Sequence, residues 1–288
     1  MEMVGVVGVG QTLSADDSAL GFRKLNMMIK AWAAQGIHLW AVNEATLFLN
    51  VGQQSYTLGT AHCTDNYVQT TLSTDEATGS TSLGLTSTSG MSASDNIGIV
   101  LDSGTIHWTT ISGAPGSPTT IADALPSAAS AGSVVFAYTT KIGKPLRVLS
   151  AYRRDINGQD TPIEMIARED YARLASKSTA GKPIQAFYLP QLTTGTLRIW
   201  PTADLSTDVV RFWYERTLED SDVAGDDPDF PVECAEAIVT NLADRLAATY
   251  GLPMGERAAL KADAALALDA MLSFDREDTS LMFQPDIR

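Results

Sequence analysis

Between Ser14 and Gly59 the apolar residues change period, from helical spacing to strand alternation, and this commits the chain to mixing helix with sheet. Phe22, Leu25, Met28, Ile29 and Trp32 recur at three- and four-residue intervals as one stripe. Arg23, Lys24, Asn26 and Lys30 fall largely outside it. Ser14 is placed to cap this helix through its hydroxyl, Asp16 and Asp17 sit favourably against the helix dipole, and Gly36 is suited to end it. Beyond it, Leu47, Leu49 and Val51 alternate with Thr46, Phe48 and Asn50. Gly52-Gln53-Gln54 then turns, and Tyr56 and Leu58 alternate again.

From Ala61 to about Thr140 the chain is rich in Thr, Ser, Gly and Ala and shows no helical stripe of useful length. Ile97, Ile99 and Leu101 lead through Asp102-Ser103-Gly104 into Ile106, Trp108 and Thr110, a predicted hairpin, and Val134, Phe136 and Tyr138 make another strand. Asn157-Gly158 is the strongest short hairpin signal. A short helix is predicted within Glu164–Ser176, and strands at Ile184–Leu189, Thr196–Trp200 and Val209–Tyr214. After the acidic loop Glu219–Asp229, Pro231 opens a helix striped by Ile238, Val239, Leu242, Leu246 and Tyr250, closed by Gly251 and Pro253. A second, alanine-rich helix runs from Glu256 to Phe274, with a tail at Ser280–Arg288.

These readings predict an α+β chain: a helical bundle from the N- and C-terminal helices plus an antiparallel β region, with an inserted all-β module. Residues 1–60 and 141–288 form the expected core, with 61–140 as the insertion. Leu25, Ile29, Trp32, Ile238, Leu242 and Leu246 are the expected bundle core.

With 288 residues and 44% hydrophobic content the chain has material for a real core. A net charge of −14 argues against broad attraction to nucleic-acid phosphate. Cys63 and Cys234 give no disulfide or metal framework and fit a reducing compartment. Met1–Gly10 is too short to span a bilayer and lacks the features of a signal peptide, so a soluble protein made in the cytoplasm, with no membrane partner, is expected.

No reactive constellation emerges. His38, His62 and His107 lack metal-ligand spacing. Gly5, Gly8 and Gly10 imitate a phosphate-binding run without its strand and helix, and Ser103 lies in a hairpin turn rather than a nucleophile elbow. The acidic residues Glu219, Asp220, Asp222, Asp226, Asp227 and Asp229 lack the periodic spacing of calcium loops and read as solvated. Lys141, Lys144, Arg147, Arg153 and Arg154 suit either a phosphate or acidic partner or plain solubility. Trp32, Trp40 and Trp200 read as core or subunit contacts. Catalytic, cofactor-binding and metal residues are therefore all expected to be absent.

Several stretches together resemble the head-to-tail adaptor proteins of short-tailed bacteriophages, also called tail tubular protein A or head-completion proteins. They are Leu25-Asn26-Met27-Met28 through Trp32 with Gly52-Gln53-Gln54-Ser55-Tyr56-Thr57-Leu58-Gly59; Arg168-Glu169-Asp170-Tyr171 ahead of Gly181-Lys182-Pro183; Gly195-Thr196-Leu197-Arg198-Ile199-Trp200-Pro201; and Asp229-Phe230-Pro231 with Leu242-Ala243 and Tyr250-Gly251. The match covers roughly Ser14–Gly59 and Lys144–Phe274. Such proteins usually have a further helix before the first stripe, of which Met1–Gly10 resembles only the tail end, and the β module is extra.

The resemblance implies a structural virion protein and no enzyme or cofactor. It implies a homo-oligomeric ring, typically dodecameric, in the neck between capsid and tail. The ring would bind below the portal protein, extend the DNA channel and hold the tail nozzle protein, with tail fibres as a further partner through the inserted module. DNA would pass an acidic channel without specific binding. Leu281, Met282 and Phe283 are the expected portal-docking residues. The competing expectation is a carbohydrate-binding or adhesin-like phage tail protein using Tyr67 and Trp108. A hydrolase is the third reading, with carboxylates available but no geometry to place a facing pair.

Overall fold

The computed structural model describes residues 5, 12–35, 41–221, 223 and 229–274. Helix α1 (Ala15–Gln35) begins at the cap read from the sequence: Asp17 N–H donates to Ser14 Oγ at 3.1 Å. Three strands follow, β1 (Val42–Phe48), β2 (Ser55–Leu58) and β3 (Cys63–Thr64). The Thr/Ser/Gly-rich segment supplies β4 (Val68–Thr71), β5 (Ser82–Leu83), β6 (Asn96–Val100), β7 (Ile106–Thr110), β8 (Thr119–Thr120) and β9 (Val134–Tyr138). Then come β10 (Arg147–Arg154), β11 (Asp160–Met165), α2 (Arg168–Arg173), β12 (Ala180–Gly181), β13 (Gln185–Pro190), β14 (Gly195–Trp200), β15 (Thr202–Ala203) and β16 (Val209–Glu215). A 3-10 turn at Val232–Cys234 leads into α3 (Ala235–Ala247) and α4 (Met254–Phe274).

The expected α+β framework built on a helical bundle is corrected. The chain is mostly β, with sixteen strands against four α-helices among the described residues, and its largest element is a nearly closed, barrel-like sheet. The physical reason is where each period runs. Helical stripes occupy only the two ends of the described chain, whereas the long middle alternates and pairs with itself.

Two compact units result: Met1–Val42 with Thr217–Arg288, and Asn43–Arg216. The boundaries expected near residues 60 and 140 fall inside the second unit. In the first, Met28 and Trp32 of α1 meet Cys234, Ala237 and Met271, with Leu25, Ile238 and Leu242 packed alongside. A second cluster joins Ala243, Leu246, Ala247 and Leu260, and Leu242 borders it too. Of the six expected core residues, Ile29 alone belongs to neither cluster, although it is buried. Polar pins hold the same unit. Asn26 and Ser221 exchange two hydrogen bonds of 3.1 and 3.0 Å, and Asn241 of α3 donates to the Ala264 carbonyl of α4 at 3.0 Å.

In the second unit the eight-stranded order is β2-β14-β13-β11-β10-β16-β1-β3. The turn after β1 forms, with Gly52 at φ +73°, but it does not make a hairpin: β2 pairs with β14, and β1 with β3. Alternate residues from each strand fill the interior, among them Leu47, Leu58, Ile163, Leu197, Ile199, Val210 and Phe212. A four-stranded sheet, β4-β9-β6-β7, contains the predicted hairpin of β6 and β7. Every residue of β9 is buried because both faces of this sheet are covered. Val135 and Ala137 enter a core with Leu72, Ile97 and Leu125, whereas Val134, Phe136 and Tyr138 meet Phe48 and Val209 of the large sheet.

Gly195 shows how closely the large sheet is packed. A Cβ there would enter the Tyr188 ring, whose hydroxyl donates to the Pro145 carbonyl at 2.6 Å. Gly195→Ala is expected to destabilise the protein by about 1–3 kcal/mol through overpacking, read as a lower denaturant midpoint. The loss should shrink in a Tyr188→Leu background; equal losses in both backgrounds would place the strain elsewhere.

Candidate functional site

The densest polar constellation lies on the outer face of the large sheet. Strand alternation points Tyr152 and Arg154 of β10 to one side and Ala151 and Arg153 to the other. Register then sets Arg154 opposite Asp160 of β11, and Tyr152 opposite Arg211 of β16. Arg154 grips Asp160 with two parallel bonds of 2.7 Å. Arg211 and the Tyr152 hydroxyl both donate to the Glu44 carboxylate of β1. The Arg154 and Arg211 guanidiniums lie 5.6 and 6.0 Å from the Tyr152 ring centroid, so the phenol sits between two cations.

The resulting row reads carboxylate, guanidinium, phenol, guanidinium, carboxylate. Its electrostatics are internally closed. The Arg154 hydrogen bonds hold the Asp160 carboxyl below its usual range, and burial pushes the Tyr152 phenol up to about 12. Each cation already has an anion and the phenol keeps its proton, so the row supplies a stiff, neutralised surface rather than a nucleophile or an open anion site. Trp213, two residues past Arg211 on the same strand, is 44% exposed beside it, opposite Ser150 at a bulge that leaves Leu149 exposed.

A second constellation gathers residues from three of the stretches that carry the family resemblance. The Gln54 amide donates to the Tyr171 hydroxyl. Tyr171 stacks on Phe187 at 5.9 Å, and Lys177 and Arg198 each lie 5.8 Å from its ring centroid. The Trp200 indole donates to the Ser176 carbonyl at 2.8 Å, and the Lys177 ammonium donates to the carbonyls of Ala172 and Leu174 at the end of α2. Gly181 pairs with Ala203 close by in sequence to that indole. The fourth stretch acts in the other unit. There Phe230 meets Trp32 edge-on at 6.4 Å, and the Tyr250 hydroxyl donates to Asp17 at 2.6 Å.

His62 forms the third. Its ring stacks on Trp108 at 4.0 Å and 5°, and its Nδ1 lies 2.6 Å from the Tyr138 hydroxyl. Burial, with Lys141 adding a second positive charge, pushes His62 down to about 4, while burial pushes the Tyr138 phenol up. Both partners are thus neutral, and the imidazole's tautomer sets which of them donates.

The remaining candidates disperse. His107 approaches the Asp123 carbonyl, and Ser103 shares a hydrogen bond with Thr105 in its turn. Cys63 and Cys234 are both buried, Cys63 in the large sheet's core and Cys234 in the helical unit's. The basic group is spent internally: Lys141 on the Thr60 carbonyl, Lys144 on the Leu192 carbonyl, Arg147 near Glu215, and Arg153 with buried Asp208 at 3.6 Å. Of the acidic loop, Lys30 holds Asp220 at 2.7 Å, and Asp222, Asp226 and Asp227 lie outside the described residues. So do His38, Trp40, Gly8, Gly10 and the docking triplet Leu281, Met282 and Phe283.

Among the described residues no cluster of His, Cys, Asp or Glu is arranged to hold a metal, and no helix is long and apolar enough to cross a membrane. A polar cleft of 280 Å³ lies among Thr64, Asp65, Asn66, Thr139 and Lys141, just under the usual ~300 Å³ of small-molecule sites. Sequence reasoning named Arg154 but missed Glu44, Tyr152, Asp160 and Arg211. Alternation marks their faces, yet only strand order makes them neighbours.

Two outcomes follow. Glu44→Ala leaves Arg211 part-buried without its carboxylate and is expected to cost on the order of 2–4 kcal/mol, whereas Glu44→Gln should retain part of that. Equal unfolding midpoints for wild type and Glu44→Ala would show the pair to be incidental. For His62, the unfolded chain takes up a proton near pH 6.5 but the folded one only near pH 4. Its contribution is thus complete above about pH 6.5 and is lost as pH falls toward 4. Subtracting the stability profile of His62→Gln from that of wild type should isolate a slope in this window; parallel profiles would refute it.

No family model, curated protein or solved structure matches the chain.

Proposed function

We propose that this chain is a structural subunit of a virion, a head-to-tail adaptor that assembles as a ring in the neck of a short-tailed bacteriophage. In this reading the ring binds below the portal, lengthens the DNA channel and gives the tail nozzle its attachment. The observation that carries it is the meeting of Gln54, Tyr171, Arg198 and Trp200 around α2. Stretches that are far apart in sequence and resemble that family meet one another here. The closed charge row of Glu44, Arg211, Tyr152, Arg154 and Asp160 also suits a part that must be rigid rather than reactive.

An acidic chain of net charge −14 fits a channel that DNA slides through, with the repulsion felt only within ~8–10 Å of the wall at physiological salt. The adhesin reading relied on Tyr67 and Trp108 as an open sugar platform. Both instead turn against Phe48, at 5.4 and 5.1 Å, and His62 covers Trp108. Native mass spectrometry of the purified protein provides the test. A closed ring of many copies is expected, alone or with portal present; a monomer or trimer under both conditions overturns the reading.

A further inference from the structure

The unit that contains α1 and α3 carries two outward faces of opposite charge. On α1 the buried side is Met28, Ile29 and Trp32. Directly opposite, at intervals of four and three residues, lie Arg23, Met27 and Lys30, all exposed, with Met27 58% so. The approach to α3 and its first turns present Val232, Glu233, Glu236 and Val239, also exposed, with the valines 87% and 54% so. Each face is thus an apolar contact set among charges, basic over the middle of α1, with Asp16 on the same side two turns earlier, and acidic at the start of α3. They cannot meet within a copy, because α1 turns its buried side toward Cys234 and Ala237.

We infer that copies of this chain join head to tail, the basic face of α1 on one copy against the acidic start of α3 on the next. The inference rests on the ring reading and adds to it the surfaces that make the ring. Two different patches in contact form a heterologous interface, which repeats from copy to copy and closes where the rotation allows. Met27 entering beside Val232 and Val239 supplies apolar burial, and Arg23 and Lys30 facing Glu233 and Glu236 set the register. Lys30 already touches Asp220, but both side chains are well exposed, and a pair of that kind exchanges readily for another carboxylate.

Two full-length variants test it: Arg23→Glu with Lys30→Glu, and Glu233→Lys with Glu236→Lys. Each alone is expected to lose assembly by native mass spectrometry and sedimentation while keeping wild-type helicity and melting temperature. Mixed in equal amounts they should reassemble, because the acidic α1 of one then meets the basic α3 start of the other. Single variants Arg23→Glu and Glu236→Lys should each raise the concentration needed for assembly roughly tenfold, and they serve if a double variant misfolds. If wild type assembles and the variants do so equally well, or if their mixture stays monomeric, the inference fails while the ring reading stands. A wild type that stays monomeric both alone and with portal present removes the ring reading itself, and the inference with it.

Discussion

Phe48 is the side chain on which the larger unit depends. It sits on β1 with Leu47 and Leu49 turned into the interior of the barrel-like sheet, and itself points out of that sheet. Outside, its ring meets Phe136 at 4.8 Å, Trp108 at 5.1 Å, Tyr67 at 5.4 Å and Tyr138 at 5.8 Å. Aromatic contacts at these separations bring large buried area and directional preference together. They also explain why β9 is apolar at every position: its sheet is sealed by its own core on one side and by Phe48 and Val209 on the other. The Thr/Ser/Gly-rich segment is consequently welded to its host rather than hung from it. Gly98 belongs to the same arrangement, since a Cβ there would meet the Trp108 ring at 2.7 Å.

The chain handles its charge in two ways. On the large sheet, cations are consumed locally: Arg154 by Asp160, Arg211 by Glu44, Arg153 by Asp208. Burial raises the Asp208 carboxyl even with Arg153 beside it, so that pair is a constraint on packing more than a gain in stability. On the helical unit, charge instead lies on exposed faces, Arg23 and Lys30 on one helix and Glu233 and Glu236 on the approach to and first turn of another. Internal closure suits a scaffold, and segregated exposed charge suits association between copies.

Much of the local structure was legible. The Ser14 cap, the β6–β7 hairpin through Gly104, the Asn157-Gly158 turn and the presence of α3 and α4 each follow from rules acting over a few residues, although α3 starts four residues after Pro231, beyond a 3-10 turn. Hydroxyl capping, positive-φ glycines and apolar period need nothing from the rest of the chain. The same locality made the weight given to the helices misleading, because a strong helical stripe announces itself and short, weakly patterned strands such as β3, β5 and β8 do not.

By itself, then, the sequence determined where the long helices and the strongly alternating strands lie, which face of each is apolar, and that the chain is acidic. The tertiary structure alone decided that β1 and β2 separate after their turn, that Glu44, Tyr152, Arg154, Asp160 and Arg211 form one row, and that Gln54 reaches Tyr171. The physical reason is that strand alternation specifies a side and leaves the neighbour open. Which strand lies alongside is settled by pairing over long chain distances, where hydrogen bonding is generic and the choice falls to how all the side chains pack at once.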